Sequence, residues 1–138
     1  MISIFQDILK YEKIMILHID TTGREEVTIK LTKVKKVLIS KTFFAFRKQA
    51  EKLLPEIDKL LRKTKASLSD IETVQIANHG GSFTSLRIGV TTANALAYAI
   101  GSALAGTAGK PRKAGKISVV EPIYNSEPDI ILKTSDKR

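Results

Sequence analysis

The sequence predicts an α/β domain: a mixed sheet of about five strands with helices packed on it. Three observations carry this. The apolar runs change period along the chain, in the order strand, strand, strand, helix, strand, helix, strand. Residues 73–109 hold one formal charge, Arg87, in 37 positions, whereas a chain that is 27% charged overall would place about ten there. That stretch is therefore a covered strand–loop–helix unit, framed by the rest. Finally, 138 residues at 43% hydrophobic content suffice for one domain with a real core, and no internal repeat or domain boundary is visible.

Taken in order, residues 2–13 (ISIFQDILKYEK) have helical spacing at Ile4, Ile8 and Tyr11 and predict a short amphipathic extension over residues 1–13. Residues 14–20 (IMILHID) form a β-rich run ending in an acid, followed by a turn at Thr21, Thr22 and Gly23. Residues 27–31 alternate, and residues 35–40 supply a third strand; the short links imply an antiparallel meander. Its outward lysines, Lys30, Lys33, Lys35 and Lys36, also discourage pairing at a sheet edge.

A helix is expected over residues 42–65, with Thr42 as its N-cap and an apolar stripe of Phe46, Ala50, Leu53, Leu54, Ile57, Leu60 and Leu61. Pro55 inside the pattern predicts a kink, or two helices meeting at Leu54. Residues 73–77 read as a buried strand parallel to an earlier one, and residues 84–104 as a long Ala-rich helix. Residues 105–116 read as a mobile basic loop, and residues 117–120 as the last strand. The two Glu-Pro steps of residues 121–138 favour an extended tail. This gives one lobe over residues 14–120 between the extension and the tail.

Composition narrows the chemistry. There is no cysteine, which excludes disulfides and thiolate metal sites and fits a cytoplasmic protein. Asp7 and Glu12 interrupt any signal-peptide core. Residues 86–104 approach the length of a membrane span, but their Ala, Gly, Thr and Asn content points to a buried helix away from any membrane. A net charge of +9 and a pI near 9.8 point to an anionic partner, RNA first, or to a solvated lysine-rich surface. Lys110, Arg112, Lys113 and Lys116 are the candidate RNA contacts.

The loop from His79 to Thr84 joins a strand end to a helix start. Gly80, Gly81, Ser82 and Thr84 are a candidate anion-binding set, because free N–H groups and the helix dipole converge there. The alternative is a plain cap, with Ser82 or Thr84 capping and the glycines making the bend. Asp20 is the best lone acid, for a divalent metal in a phosphoryl-cleaving enzyme or for capping the turn at Thr21 and Thr22. No second acid stands at an interior strand end, so a nuclease is disfavoured. His18 and His79 both fall near strand ends and could be neighbours. Ser82 has no evident triad. No catalytic residue, metal or cofactor is expected.

The long helix has two apolar stripes. One is Leu86, Val90, Ala93, Ala97, Ile100 and Leu104; the other is Ile88, Thr92, Ala95, Ala99 and Ala103. A sheet covers one stripe only, so the second is expected to meet another chain. Leu86, Arg87, Ile88, Thr92, Ala95 and Ala99 are the candidate partner interface. Arg87 lies where the helix dipole disfavours a cation, and a bridge to Asp20, Glu72 or a partner's acid would offset that.

Three segments, IMILHIDTT, LLPEIDKLL and GGSFTSLRIGVTTANALAYAIG, resemble the bacterial TsaB (YeaZ) family in order and spacing over residues 14–104. The VEPIYNSEPDI stretch resembles the family's C-terminal motif. The resemblance implies a ribonuclease-H-like sheet and the N-terminal lobe of an ASKHA (actin-like) fold. It further implies a non-catalytic cytoplasmic partner of TsaD in making threonylcarbamoyladenosine at adenosine 37 of tRNA. Pairing would run through helices of this half, with a homodimer when alone and a TsaE-like ATPase joining. This chain departs from the pattern at His79 and Gly80, where the family has Gly-Pro, at Ser85, where it has Gly, and at His18. Most of the second lobe has no counterpart, so the implied form is a shortened scaffold without ATP hydrolysis.

Overall fold

The computed structural model describes residues 14–34, 36–109, 112–114 and 117–124. The expected helix at residues 2–13 and the tail beyond Tyr124 lie outside the described residues. Strands β1 (Met15–Asp20), β2 (Glu26–Lys33) and β3 (Lys36–Phe44) form the antiparallel meander. Then come helix α1 (Gln49–Lys63), strand β4 (Ile71–Ile76), helix α2 (Phe83–Ile100) and strand β5 (Ala103–Gly106). The five-stranded sheet has the order β3-β2-β1-β4-β5, with β4 parallel to β1 and β5 parallel to β4. This mixed order, with helices entering after β3 and β4, is the ribonuclease-H-like arrangement that the resemblance implies. A short pair, β6 (Arg112–Ala114) and β7 (Ile117–Val119), forms a separate two-stranded sheet.

Alternation decides which face is buried. Met15, Leu17 and Ile19 of β1, Val27, Ile29 and Leu31 of β2, and Val74 and Ile76 of β4 point to one side. They join Leu53, Ile57, Leu60 and Leu61 of α1 and Leu86, Val90, Ala93 and Ala97 of α2 in a single core. The register places the intervening residues on the opposite face: His18 beside Lys30 and Gln75, and Asp20 beside Thr28.

Four expectations about helix α1 change. The helix expected from Thr42 begins at Gln49, because β3 stays paired to β2 as far as Glu26 opposite Phe44. Thr42 is thus a strand residue that shares a hydrogen bond with Thr28 at 2.8 Å. Lys48 takes the N-cap position without a side-chain bond. Phe46, Ala50 and Leu54 are exposed and leave the stripe, while Gln49 joins the buried face. Pro55 neither splits nor ends α1, which runs on to Lys63 as one helix.

The last strand of the main sheet is residues 103–106, not 117–120. Left-handed Gly101, at φ 70°, ends α2. Pairing with β4 then pulls Ala103–Gly106 into a strand, so tertiary context overrides alanine's helix preference. The mobile-loop reading shrinks accordingly, since residues 105–106 belong to β5 and 112–114 to β6.

His18 yields a pH prediction. Its Nε2 lies 2.8 Å from Thr32 Oγ1. Desolvation lowers its pKa below 6.5, the Lys30 charge lowers it further, and a bond with Gln75 opposes both. A folded-state pKa below the unfolded one means that the unfolded chain binds the proton first as pH falls through 6.5. Stability from this group is therefore present above that pH and is lost below it. Urea midpoints measured about one unit above and below the unperturbed histidine value are expected to fall on acidification, and His18→Gln is expected to remove part of that fall.

Candidate functional site: the glycine loop and the outer face of α2

The loop after β4 is built by close packing. Gly80 and Gly81 have φ of 91° and 79°, and a Cβ on Gly81 would lie 2.7 Å from Thr22 Cα. The loop is thereby pressed onto the turn that follows β1. Ser82 is the N-cap, its Oγ accepting from Ser85 N at 3.1 Å. Thr84 is exposed in the first turn. The capping reading thus describes Ser82, while Gly80 faces open space.

The other side of the loop is held by the chain's own later segment. Ile123 N donates to Asn78 O at 2.7 Å. His79 bridges to Ile123, and Tyr124 stacks on Phe83 with centroids 4.6 Å apart. His18 turns to Thr32 instead, so the structure does not pair the two histidines. Asp20 Oδ1 accepts from Thr22 N at 2.8 Å and from Thr22 Oγ1, which is the turn-capping role. Among the described residues, no three His, Asp or Glu side chains converge as metal ligands do.

Two asparagines, which the sequence marks only as polar interruptions, position this segment. Asn78 is 1% exposed. Its Nδ2 donates to Ala108 O and Glu121 O, each at 2.8 Å, and its Oδ1 accepts from Ala108 N at 2.9 Å. Asn94 Nδ2 donates to Val120 O at 2.8 Å, and Asn94 Oδ1 accepts from Val120 N at 2.9 Å. Each amide satisfies main-chain groups that a strand partner would otherwise take.

Ser85, the departure from glycine in the motif, is buried and useful. Its Oγ accepts from Gln49 Nε2 at 3.1 Å, and its carbonyl accepts from Thr21 Oγ1 at 2.7 Å. It thus ties the start of α2 to α1 and to the end of β1.

The outer face of α2 runs along Thr84, Arg87, Thr91, Ala95, Tyr98 and Ala99, all exposed. Ile88 and Thr92 are half-buried and, with Ala50 of α1, line a groove of about 330 Å³ between the helices. Of the six expected interface residues, Arg87, Ile88, Thr92, Ala95 and Ala99 stand on or beside this face. Leu86 does not: it is 2% exposed and belongs to the core, because it falls on the stripe with Val90 and Ala93. Among the described residues, Arg87 forms no ion pair with Asp20 or Glu72; its guanidinium lies 5.1 Å from the centre of the Phe83 ring. Tyr98, 69% exposed, was not marked by the sequence pattern. Counting three or four residues on from Ala95 along the exposed stripe would have found it. Lys110 and Lys116 lie outside the described residues, as do the side chains of Arg112 and Lys113. No helix among the described residues is long and apolar enough to cross a membrane.

The family model of TsaD, tRNA N6-adenosine threonylcarbamoyltransferase, matches residues 43–107. No curated protein matches the chain in sequence. Among solved structures, YeaZ from Pseudomonas aeruginosa superposes with a TM-score of 0.63 and 24% identity, covering 69% of this chain and 44% of its own. A second structure, described as an uncharacterized protein with similarity to peptidase YeaZ from the same organism, gives a TM-score of 0.63 at 24% identity, covering 69% of this chain and 43% of its own. The chain therefore spans less than half the length of either. It is similar in fold to YeaZ and, across residues 43–107, in sequence to the TsaD family.

Proposed function

We propose that the chain is a non-catalytic, TsaB-like partner of a TsaD-like transferase in threonylcarbamoyl transfer to adenosine 37 of tRNA. The observation that carries this is the outer face of α2: small, nearly uncharged and uncovered by the described residues of its own chain. A flat face of alanine and threonine lets a second helix approach closely, and the TsaD-family match spans that helix. Asp20 is occupied in capping its turn, which supports a scaffold over a phosphoryl-cleaving enzyme. The same face serves a homodimer when the transferase is absent, and a TsaE-like ATPase would join the assembly.

The test is co-elution of the chain with its cognate TsaD-like protein, together with the level of threonylcarbamoyladenosine in tRNA. Ala95→Glu is exposed and is expected to change stability by less than about 0.5 kcal/mol. By desolvating a carboxylate in the interface, it is expected to weaken the complex roughly tenfold or more. A wild-type chain that stays monomeric and ignores the transferase overturns the reading.

A further inference from the structure

The main sheet ends on one side at β3, whose outer edge is unpaired among the described residues. Beside that edge, between β3 and α1, lies a groove of about 440 Å³ lined by Ile39, Ser40, Lys41, Lys59, Leu60, Arg62 and Lys63. From it we infer a second docking surface, distinct from α2: an acidic, extended polypeptide segment adds as a strand to β3 and lays its carboxylates on the α1 cations.

Charge, floor and edge agree on this occupant. Four cations line the groove, and the carboxylates that pair with them are two: Glu56, with Lys41 at 2.6 Å and Lys59 at 3.7 Å, and Asp58, with Arg62 at 3.0 Å. Positive charge therefore remains in excess, and Lys63 has no carboxylate partner among the described residues. The floor is aliphatic, from Ile39 and Leu60, and on the edge strand itself Val37 and Leu38 are 51% and 41% exposed. An added strand would turn its carboxylates, on their apolar stems, into this groove and its alternate apolar side chains to the other face of the sheet.

β3 carries an irregularity opposite Leu31 and Thr32, and from Ile39 to Phe44 its register with β2 is unbroken. Lys52 Nζ already takes the Phe44 carbonyl at 3.0 Å, so the free main-chain edge is residues 39–43. Lysines along an edge repel a second copy of this +9 chain, but the same lysines attract an acidic strand. RNA fits less well, because the groove has no aromatic ring for a base to stack on and phosphates would leave the strand edge unmatched.

The probe is a capped seven-residue peptide of alternating Glu and Val, titrated into the isotope-labelled full chain. The controls are the same peptide with alternate amides N-methylated and a ten-nucleotide oligouridine. Binding of the first peptide is expected to shift the amide signals of residues 39–43. Reversing two exposed charges, with Lys59→Glu and Lys63→Glu together, is expected to weaken it roughly tenfold, with the fold checked by circular dichroism. N-methylation is expected to abolish it.

Three outcomes overturn the proposal. The N-methylated peptide could bind equally, which leaves charge alone. Oligouridine could shift the same amides more tightly, which makes this an RNA surface. Binding could also appear only after residues 125–138 are removed, which makes the chain's own tail the occupant.

Discussion

Gly89→Leu is expected to cost about 3 kcal/mol or more, enough to unfold a marginal domain. Gly89 is buried on the inner face of α2. A Cβ there would fall within contact distance of Thr21 Oγ1 and 3.0 Å from Thr21 Cγ2. Thr21 is fully buried, and its hydroxyl is committed to Ser85 O, so it has no room to yield. This is where the end of β1 meets the helix, and a larger residue pries apart the two halves of the core. Gly89→Ala is milder: helix preference returns about 1 kcal/mol against an overpacking cost of about 1–3 kcal/mol. Thr21→Ala removes the atoms in the way at the expense of its own hydrogen bond. A double-mutant cycle of Thr21→Ala with Gly89→Ala, read from urea midpoints, is expected to show a favourable coupling. Strict additivity would refute the contact as the cause.

Asn78→Ala is the second large effect, at roughly 3 kcal/mol. The amide spans three main-chain groups of the later chain, and truncation removes its bonds to all three. The loss is local in character as well as global. Amide exchange at Ala108 is expected to quicken before the sheet opens, because its N–H bonds to the Asn78 side chain, whereas Ile123 N bonds to the Asn78 main-chain carbonyl and keeps its partner. Asn78→Asp tests the chemistry separately. It keeps an acceptor for Ala108 N but sets a carboxylate against the carbonyls of Ala108 and Glu121, so it is expected to be at least as damaging at neutral pH. Exchange unchanged in both variants would show that the later segment holds itself in place.

Period and composition made much of this architecture legible. The inner stripe of α2, from Leu86 through Ala97, was readable because 3.6-residue spacing survives intact. The β1–β2 meander was readable because β1 is a β-rich apolar run and residues 27–31 alternate. The start of α1 was not: residues 41–44 (KTFF) suit a helix stripe or a strand equally, and only pairing with residues 26–29 decides between them. β5 was hidden for the opposite reason, since residues 103–106 (ALAG) carry no β-rich side chains and owe their conformation to β4. In the site, the loop glycines and the Ser82 cap could be anticipated from residue type. The Asn78 and Asn94 contacts could not, because they reach 30 and 26 residues along the chain, and no local pattern encodes a bond of that length.

On residues 118–124 the two asparagines grip peptide groups and not side chains, and this separates path from identity. Between Ser118 and Tyr124, Val120 is the one core member, 3% exposed. The course of the returning segment is set in part by amides standing elsewhere, so less of that course rests on which side chains it carries. Drift in those letters can alter what the surface beside the glycine loop displays while the ribbon beneath keeps its route.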